Sequence, residues 1–236
     1  MSNDIVRRRS NCYSAGPCSS SLVNVSKYGG FVQDDSVPTR GSMRQKMVAG
    51  ATQVLARRGL HATAFSEVLA LTGASRGSIY HHFPDGRAQI IDEAAQLSGD
   101  AISRLIAKAA PDGPAAVVDA VTGFWRKLLR QNKFAVGCPV VSIAVSAAPG
   151  SALAQHANQI FRTWHQLVTD CLVADGVGTV VARRLATMSL GAIEGAITMC
   201  RATSSLQPLD DVNAELKLLL AARTLFAAGA STPKGS

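Results

Sequence analysis

The chain has 236 residues, a formal net charge of +8, and 47% hydrophobic but only 5% aromatic residues. That length buries a sizeable core and fits one or two domains, and the Ala-, Leu- and Val-rich content suits helices over sheets. The basic surplus favours a polyanionic partner, nucleic acid being the usual one, while five widely spaced cysteines with no Cys-x-x-Cys argue against a disulfide framework or zinc site.

Residues 1–42 are rich in Ser, Gly, Asn and Asp and lack a hydrophobic period, so a disordered extension is expected there. Two readings stand: Met43 is the translation start, or the segment is a basic arm using Arg7, Arg8, Arg9, Lys27 and Arg40. Arg7-Arg8-Arg9 is followed by polar residues rather than an apolar signal-peptide core. Leu185 to Cys200 is apolar but too short to span a bilayer, so a cytoplasmic protein is expected.

From 43 to 58, Met47, Val48, Ala51, Val54 and Leu55 follow helical spacing, with Ser42 as candidate cap and Gly59 as terminator. A second helix is expected from Thr63 to about Thr72, with Phe65, Val68 and Leu69 inward. Gly73-Ala74 separates it from a short third helix, 75 to about 82, anchored by Ile79 and Phe83 and capped by Ser75. Two helices joined by so tight a turn form a helix-turn-helix, whose second helix enters the DNA major groove. A longer helix follows from Gly86 to about Ala109, stopped by Pro111, Gly113 and Pro114. Further helices are predicted near 115–131, 139–147, 150–174, 177–203 and 210–228. The expectation is an all-α protein of about nine helices. A helix-turn-helix domain would span 43–95, a helical regulatory and dimerisation domain 96–230, and a disordered tail 231–236.

The stretch Thr63-Ala-Phe-Ser-Glu-Val-Leu-Ala-Leu-Thr-Gly-Ala-Ser-Arg-Gly-Ser-Ile-Tyr-His-His-Phe-Pro-Asp-Gly-Arg87 resembles the DNA-binding domain of the TetR family of transcriptional regulators. Its Ser-Ile-Tyr-His-His-Phe-Pro-Asp-Gly-Arg portion is most similar to the LmrA/YxaF-type branch. The resemblance covers roughly 43–95 specifically, and 96–230 only in helical layout and Gly137-Cys138-Pro139.

The resemblance implies that Thr63 caps the second helix and touches a phosphate, and that Tyr80, His82 and Arg87 contact the DNA backbone. Tyr80 could instead be core and His82 structural. Arg76, Ser78 and His81 lie on the exposed side of the third helix, where a bidentate arginine reads guanine. Gly77 lets the backbone approach the groove, although many family members carry a larger residue there. Arg44 and Lys46, at the start of the first helix, could reach flanking phosphates. Adjacent His81 and His82 point about 100° apart with no third ligand, so no metal or other cofactor is expected.

The resemblance further implies a homodimer on a double-stranded palindromic operator and a small, apolar effector. Gly191 and Gly195, with Ala192 and Ala196, form a small-residue face in one of the last two long helices. Leu216, Leu219, Leu220, Leu225 and Phe226 supply apolar surface in the other. Trp125 and Trp164 are candidate pocket walls, with Phe124, Phe161 and Met188 nearby and His165 as a polar contact. Glu194 is the one charge in a strongly apolar helix, either a ligand contact or the partner of an arginine such as Arg201. Paired catalytic carboxylates, a nucleophile elbow and a phosphate loop are not found, so an enzyme is not expected. The leading expectation is a ligand-released repressor. The competing class is a helical sensor or carrier acting through protein partners without DNA binding.

Overall fold

The computed structural model describes residues 42–230, with side chains through Ala222. The readings for 1–41 and 231–236, and those for Leu225 and Phe226, lie outside the described residues and side chains. The described chain is all-α. The helices are α1 (Met43–Arg58), α2 (Phe65–Thr72), α3 (Arg76–His82), α4 (Arg87–Ala109), α5 (Pro114–Gln131), α6 (Pro139–Ser146), α7 (Ala152–Ala174), α8 (Thr179–Thr203) and α9 (Gln207–Ala230). One 3-10 turn, Ala110–Asp112, joins α4 to α5.

Ser42 starts α1 with a reciprocal capping box. Its Oγ accepts the Gln45 amide at 3.3 Å, and Gln45 Oε1 accepts the Ser42 amide at 2.8 Å. The buried face of α1, Met47, Ala51 and Leu55, meets Ile90, Ile91 and Ala94 of α4, with Val68, Ile79 and Phe83 closing this small core. Gly50 lets α2 come close, since a Cβ there would sit 2.6 Å from Thr72 Cγ2.

Helix α4 then continues unbroken into the rest of the chain, packing on α5, α6 and α7. The expected division at 95/96 therefore falls inside one continuous helix. At Gly99 the α4 backbone runs so near α7 that a Cβ would lie 2.7 Å from Ile160 Cγ2. Trp164 uses that closeness, donating its indole N–H to the Gly99 carbonyl at 3.0 Å. His156 adds a second tie from α7 to α4, bonding Asp92 through Nδ1 and Gln96 through Nε2. Helices α5, α7, α8 and α9 enclose the second core around Trp125, Trp164, Leu172 and Leu209.

Cys138, Cys171 and Cys200 are buried free thiols. No described helix is long and apolar enough to cross a membrane.

Candidate nucleic-acid interface and effector cavity

The turn between α2 and α3 depends on Gly73, whose φ of 70° and ψ of 14° lie in the left-handed region that glycine enters without strain. Ser75 then caps α3, its Oγ accepting the Ser78 amide at 3.2 Å. Ile79 and Phe83 are fully buried and pin the helix down. That leaves Arg76, Gly77, Tyr80 and His81 exposed, with Ser78 and His82 half-buried. Tyr80 is not core: it is 63% exposed, its ring resting edge-on against Phe65 at 5.5 Å. A Cβ at Gly77 would meet nothing within 4 Å, so the backbone there faces open space. His81 and His82 pack ring to ring at 5.2 Å. Among the described residues no group of three or more His, Cys, Asp or Glu could hold a metal.

One expectation around this helix requires correction, and several of the neighbouring basic residues carry bonds within the chain. Thr63 does not cap α2, which begins at Phe65 with Ala64 at its cap position and no side-chain cap bond. Thr63 is buried instead, and its hydroxyl donates to the Gly59 carbonyl at 2.9 Å. Arg87 does open α4, but its guanidinium donates to the carbonyls of Thr63, at 2.6 Å through Nε, and of Leu60. It therefore ties α4 to the α1–α2 loop. Arg44 is held by Glu93 at 2.6 Å and lies over the Phe83 ring, 5.2 Å from its centroid. Lys46 remains exposed. Arg57, in the last turn of α1, donates to Asn132 Oδ1 at 2.8 Å.

In the second core, Trp125 and Trp164 are about 1% exposed and line a narrow internal cavity of about 30 Å³. A wider groove of about 400 Å³ lies outside it between α6, α7 and α8, lined by Val141, Phe161, Arg162, His165, Thr187 and Gly191. Leu190 and Glu194 line both spaces and stand between them. His165 Nε2 faces the Arg183 carbonyl and Thr187 Oγ1, both at 3.0 Å. A carbonyl only accepts, so Nε2 carries the proton in this bond. Phe124 packs against Trp125 with ring centroids 5.5 Å apart but lines neither space. Met188 is 43% exposed on the outer side of α8 and lines neither space, contrary to expectation.

Glu194 keeps some exposed surface as a residue, but its carboxyl is buried beside the Cys138 thiol. Burial pushes that carboxyl up to about 7, with the thiol hydrogen bond opposing the shift. Burial likewise raises the Cys138 thiol, and the Glu194 charge adds to it. Arg201 does not pair with Glu194. Its Nη2 donates to the Arg57 carbonyl at 2.8 Å.

Sequence reasoning missed Ser189, which lines the internal cavity at 4% exposure with its hydroxyl lacking a hydrogen-bond partner. Its only sequence signal is a hydroxyl inside an apolar helix. The Glu194–Cys138 contact has no local signal at all.

The two expected pairs of dimer residues separate. Gly191 and Gly195 are exposed, and a Cβ at either meets nothing within 4 Å. With Val181, Met188 and Met199, all at least 36% exposed, they form an apolar outer stripe on α8. Leu216 and Leu220, by contrast, are 4% and 3% exposed and belong to the protomer's own core. The period of α9 turns them inward and leaves Leu218 outward at 66% exposure.

A tight helix-turn-helix joined by one continuous helix to a larger helical body that encloses an apolar cavity defines a DNA-binding transcriptional regulator. Residues 48–95 match the family model for bacterial regulatory proteins of the tetR family, and residues 114–215 match the LmrA/YxaF-like C-terminal domain. An uncharacterised helix-turn-helix-type transcriptional regulator of Mycobacterium tuberculosis is 35% identical over 185 residues, covering 76% of this chain and 94% of the relative. The transcriptional regulator LmrA of Bacillus subtilis is 26% identical over 176 residues, 72% of this chain and 92% of its own length. In fold, the chain is similar to a TetR transcriptional regulator from Legionella pneumophila, with TM-score 0.67 and 15% identity over 77% of this chain and 99% of that one. The chain belongs to the TetR family of transcriptional regulators, in its LmrA/YxaF-like branch. Members of this family bind DNA operators and dimerise, and ligand response and repression are typical of them.

Proposed function

We propose that this chain is a cytoplasmic homodimeric repressor released from a palindromic operator by a small effector. The observation that carries the reading is α3, where buried Ile79 and Phe83 force Arg76, Gly77, Tyr80 and His81 outward together. Arg76 would read a base edge, while Tyr80, His81 and Lys46 would meet phosphates. Arg87, Arg44 and Thr63 act indirectly, fixing how α3 sits against α4 and the α1–α2 loop. Ser75, Ser78 and His82 shape the two ends of the reading helix.

Two protomers would meet through the outer stripe of α8 at Gly191 and Gly195 and the outward face of α9 at Leu218. Such a dimer places its two reading helices about 34–36 Å apart, one DNA turn. An effector at the α7–α8 cavity shifts the equilibrium by its differential affinity for the DNA-competent and DNA-incompetent forms. The α4 helix, packed on both cores, transmits the change.

The test is fluorescence anisotropy with the DNA upstream of the chain's own gene against scrambled DNA over a salt series. Tight, sequence-dependent binding that Arg76→Ala weakens is the expected result. Equal affinity for both DNAs with a steep salt slope leaves only counterion release and overturns the reading.

A further inference from the structure

Glu194 is a buried carboxyl without a cation among the described residues. No ion pair to it occurs there, Arg201 is committed to the Arg57 carbonyl, and Arg162 sits exposed at the groove rim. His165, on the same groove, directs its Nε2–H to the Arg183 carbonyl. The polar group beside its carboxyl is the Cys138 thiol, a weak donor. Behind it, on the cavity side, the Ser189 hydroxyl is buried and unpartnered. A buried hydroxyl left unsatisfied is unfavourable, as is a buried carboxylate without a cation, and a ligand that donates hydrogen bonds to both Ser189 and Glu194 relieves the two together.

The surroundings specify the rest of that ligand. Phe161 and Trp164 pack edge to face at 5.3 Å, Phe161 on the groove and Trp164 on the internal cavity. Aromatic faces beside a carboxylate stabilise a positive charge from two sides. The groove has room for an apolar body of several carbons, and the internal cavity for a group of about the size of one water.

We propose that this site takes an apolar effector bearing a protonated amine. The ammonium pairs with Glu194 and donates to Ser189, and the apolar body lies in the groove against Val141, Phe161 and Leu190. The inference rests on the effector-responsive reading above and names the effector's chemical class. Because burial holds the Glu194 carboxyl at about 7, an ammonium that binds at about pH 6 displaces the carboxyl proton into solvent and leaves an ion pair.

Three probes of matched shape decide it: 4-phenylbutylamine, 4-phenylbutanol and 4-phenylbutyrate. The chain has two tryptophans, and both line the internal cavity, so intrinsic fluorescence reads binding directly. The amine is expected to bind at least about tenfold more tightly than the alcohol, with the carboxylate weakest. Glu194→Gln is expected to reduce the amine to the level of the alcohol. Calorimetry at about pH 6 in two buffers of different ionisation enthalpy should find proton release on amine binding to the wild type and none for the variant. The inference is overturned if the alcohol or carboxylate matches the amine, if none of the three perturbs the tryptophans, or if Glu194→Gln keeps the amine preference. Should that variant fail to fold, the wild-type ranking and proton release decide alone. Operator anisotropy on the same samples separates the two readings. Absent amine preference with operator binding intact removes this inference only. Amine preference without operator binding removes the regulator reading.

Discussion

Arg201, in the last turn of α8, donates a 2.8 Å hydrogen bond to the carbonyl of Arg57 in the last turn of α1. Beside it the Gly137 amide donates to the Ala56 carbonyl, also at 2.8 Å. The C-terminal end of α1 is thus capped by two groups from the larger helical body. Gly137 is also the neighbour of Cys138, whose thiol lies beside the Glu194 carboxyl. One short turn therefore touches both the cavity carboxyl and the DNA-reading unit.

Removing the arginine should loosen that junction. Arg201→Ala is expected to destabilise the protein by about 1–2 kcal/mol, the worth of a hydrogen bond from a charged group plus a helix-end contact. Urea unfolding measures it. An unchanged midpoint would mean that the bond contributes nothing.

Arg87 offers a sharper separation. Because its guanidinium serves the Leu60 and Thr63 carbonyls, Arg87→Ala should lower thermal stability as well as operator affinity. Lys46→Ala should leave stability alone and reduce the salt slope of DNA binding by about one. Loss of affinity in Arg87→Ala with unchanged melting would restore the direct phosphate role.

Glu194 makes stability depend on pH. Its folded carboxyl titrates at about 7 against an ordinary 4.5, so the folded state keeps a proton that the unfolded chain has lost. The associated stability is present below pH 4.5 and is lost as pH rises to about 7, an effect of up to about 3 kcal/mol. Glu194→Gln should flatten that part of the profile in urea titrations between about pH 4 and 8. A variant as pH-dependent as the wild type over this range would place the titration elsewhere.

The two sets of expected dimer residues should behave oppositely. Gly195→Leu, on an open outer face, should leave the protomer folded and shift sedimentation toward monomer. Leu220→Ala, in the core, should cost about 2–5 kcal/mol of stability through the cavity it leaves. A folded, fully dimeric Gly195→Leu would move the interface off this stripe.

Local patterns that reach only a few residues were legible without coordinates. The Ser42 cap, the Gly73 turn, the Ser75 cap and every helix boundary from α3 onward fall within a few residues of expectation, because caps, glycine conformations and apolar periods act within one or two turns. The start of α2 was misplaced because a threonine before an apolar run resembles a cap, whereas its hydroxyl here serves the Gly59 carbonyl behind it. Leu216 and Leu220 show a related limit. An apolar period marks a buried face without saying whether the same chain or a partner buries it.

Local pattern alone set the helices, the helix-turn-helix and the outward placing of Arg76 and His81, since Ile79 and Phe83 anchor a short helix in one orientation; it left Tyr80 open between core and surface and put Ser78, half-buried in the fold, on the exposed side. Which charged groups are already committed follows from the packing of distant helices. Arg87 to two loop carbonyls, Arg44 to Glu93, Arg57 to Asn132 and Arg201 to Arg57 are pairings across 24 to 144 residues. The same packing decided that Glu194 and Ser189 face a cavity with no cation to meet them. Hydrogen-bond partners and burial depend on distances between helices, and those distances are set by packing at places such as Gly50 and Gly99 that carry no chemical signal of their own.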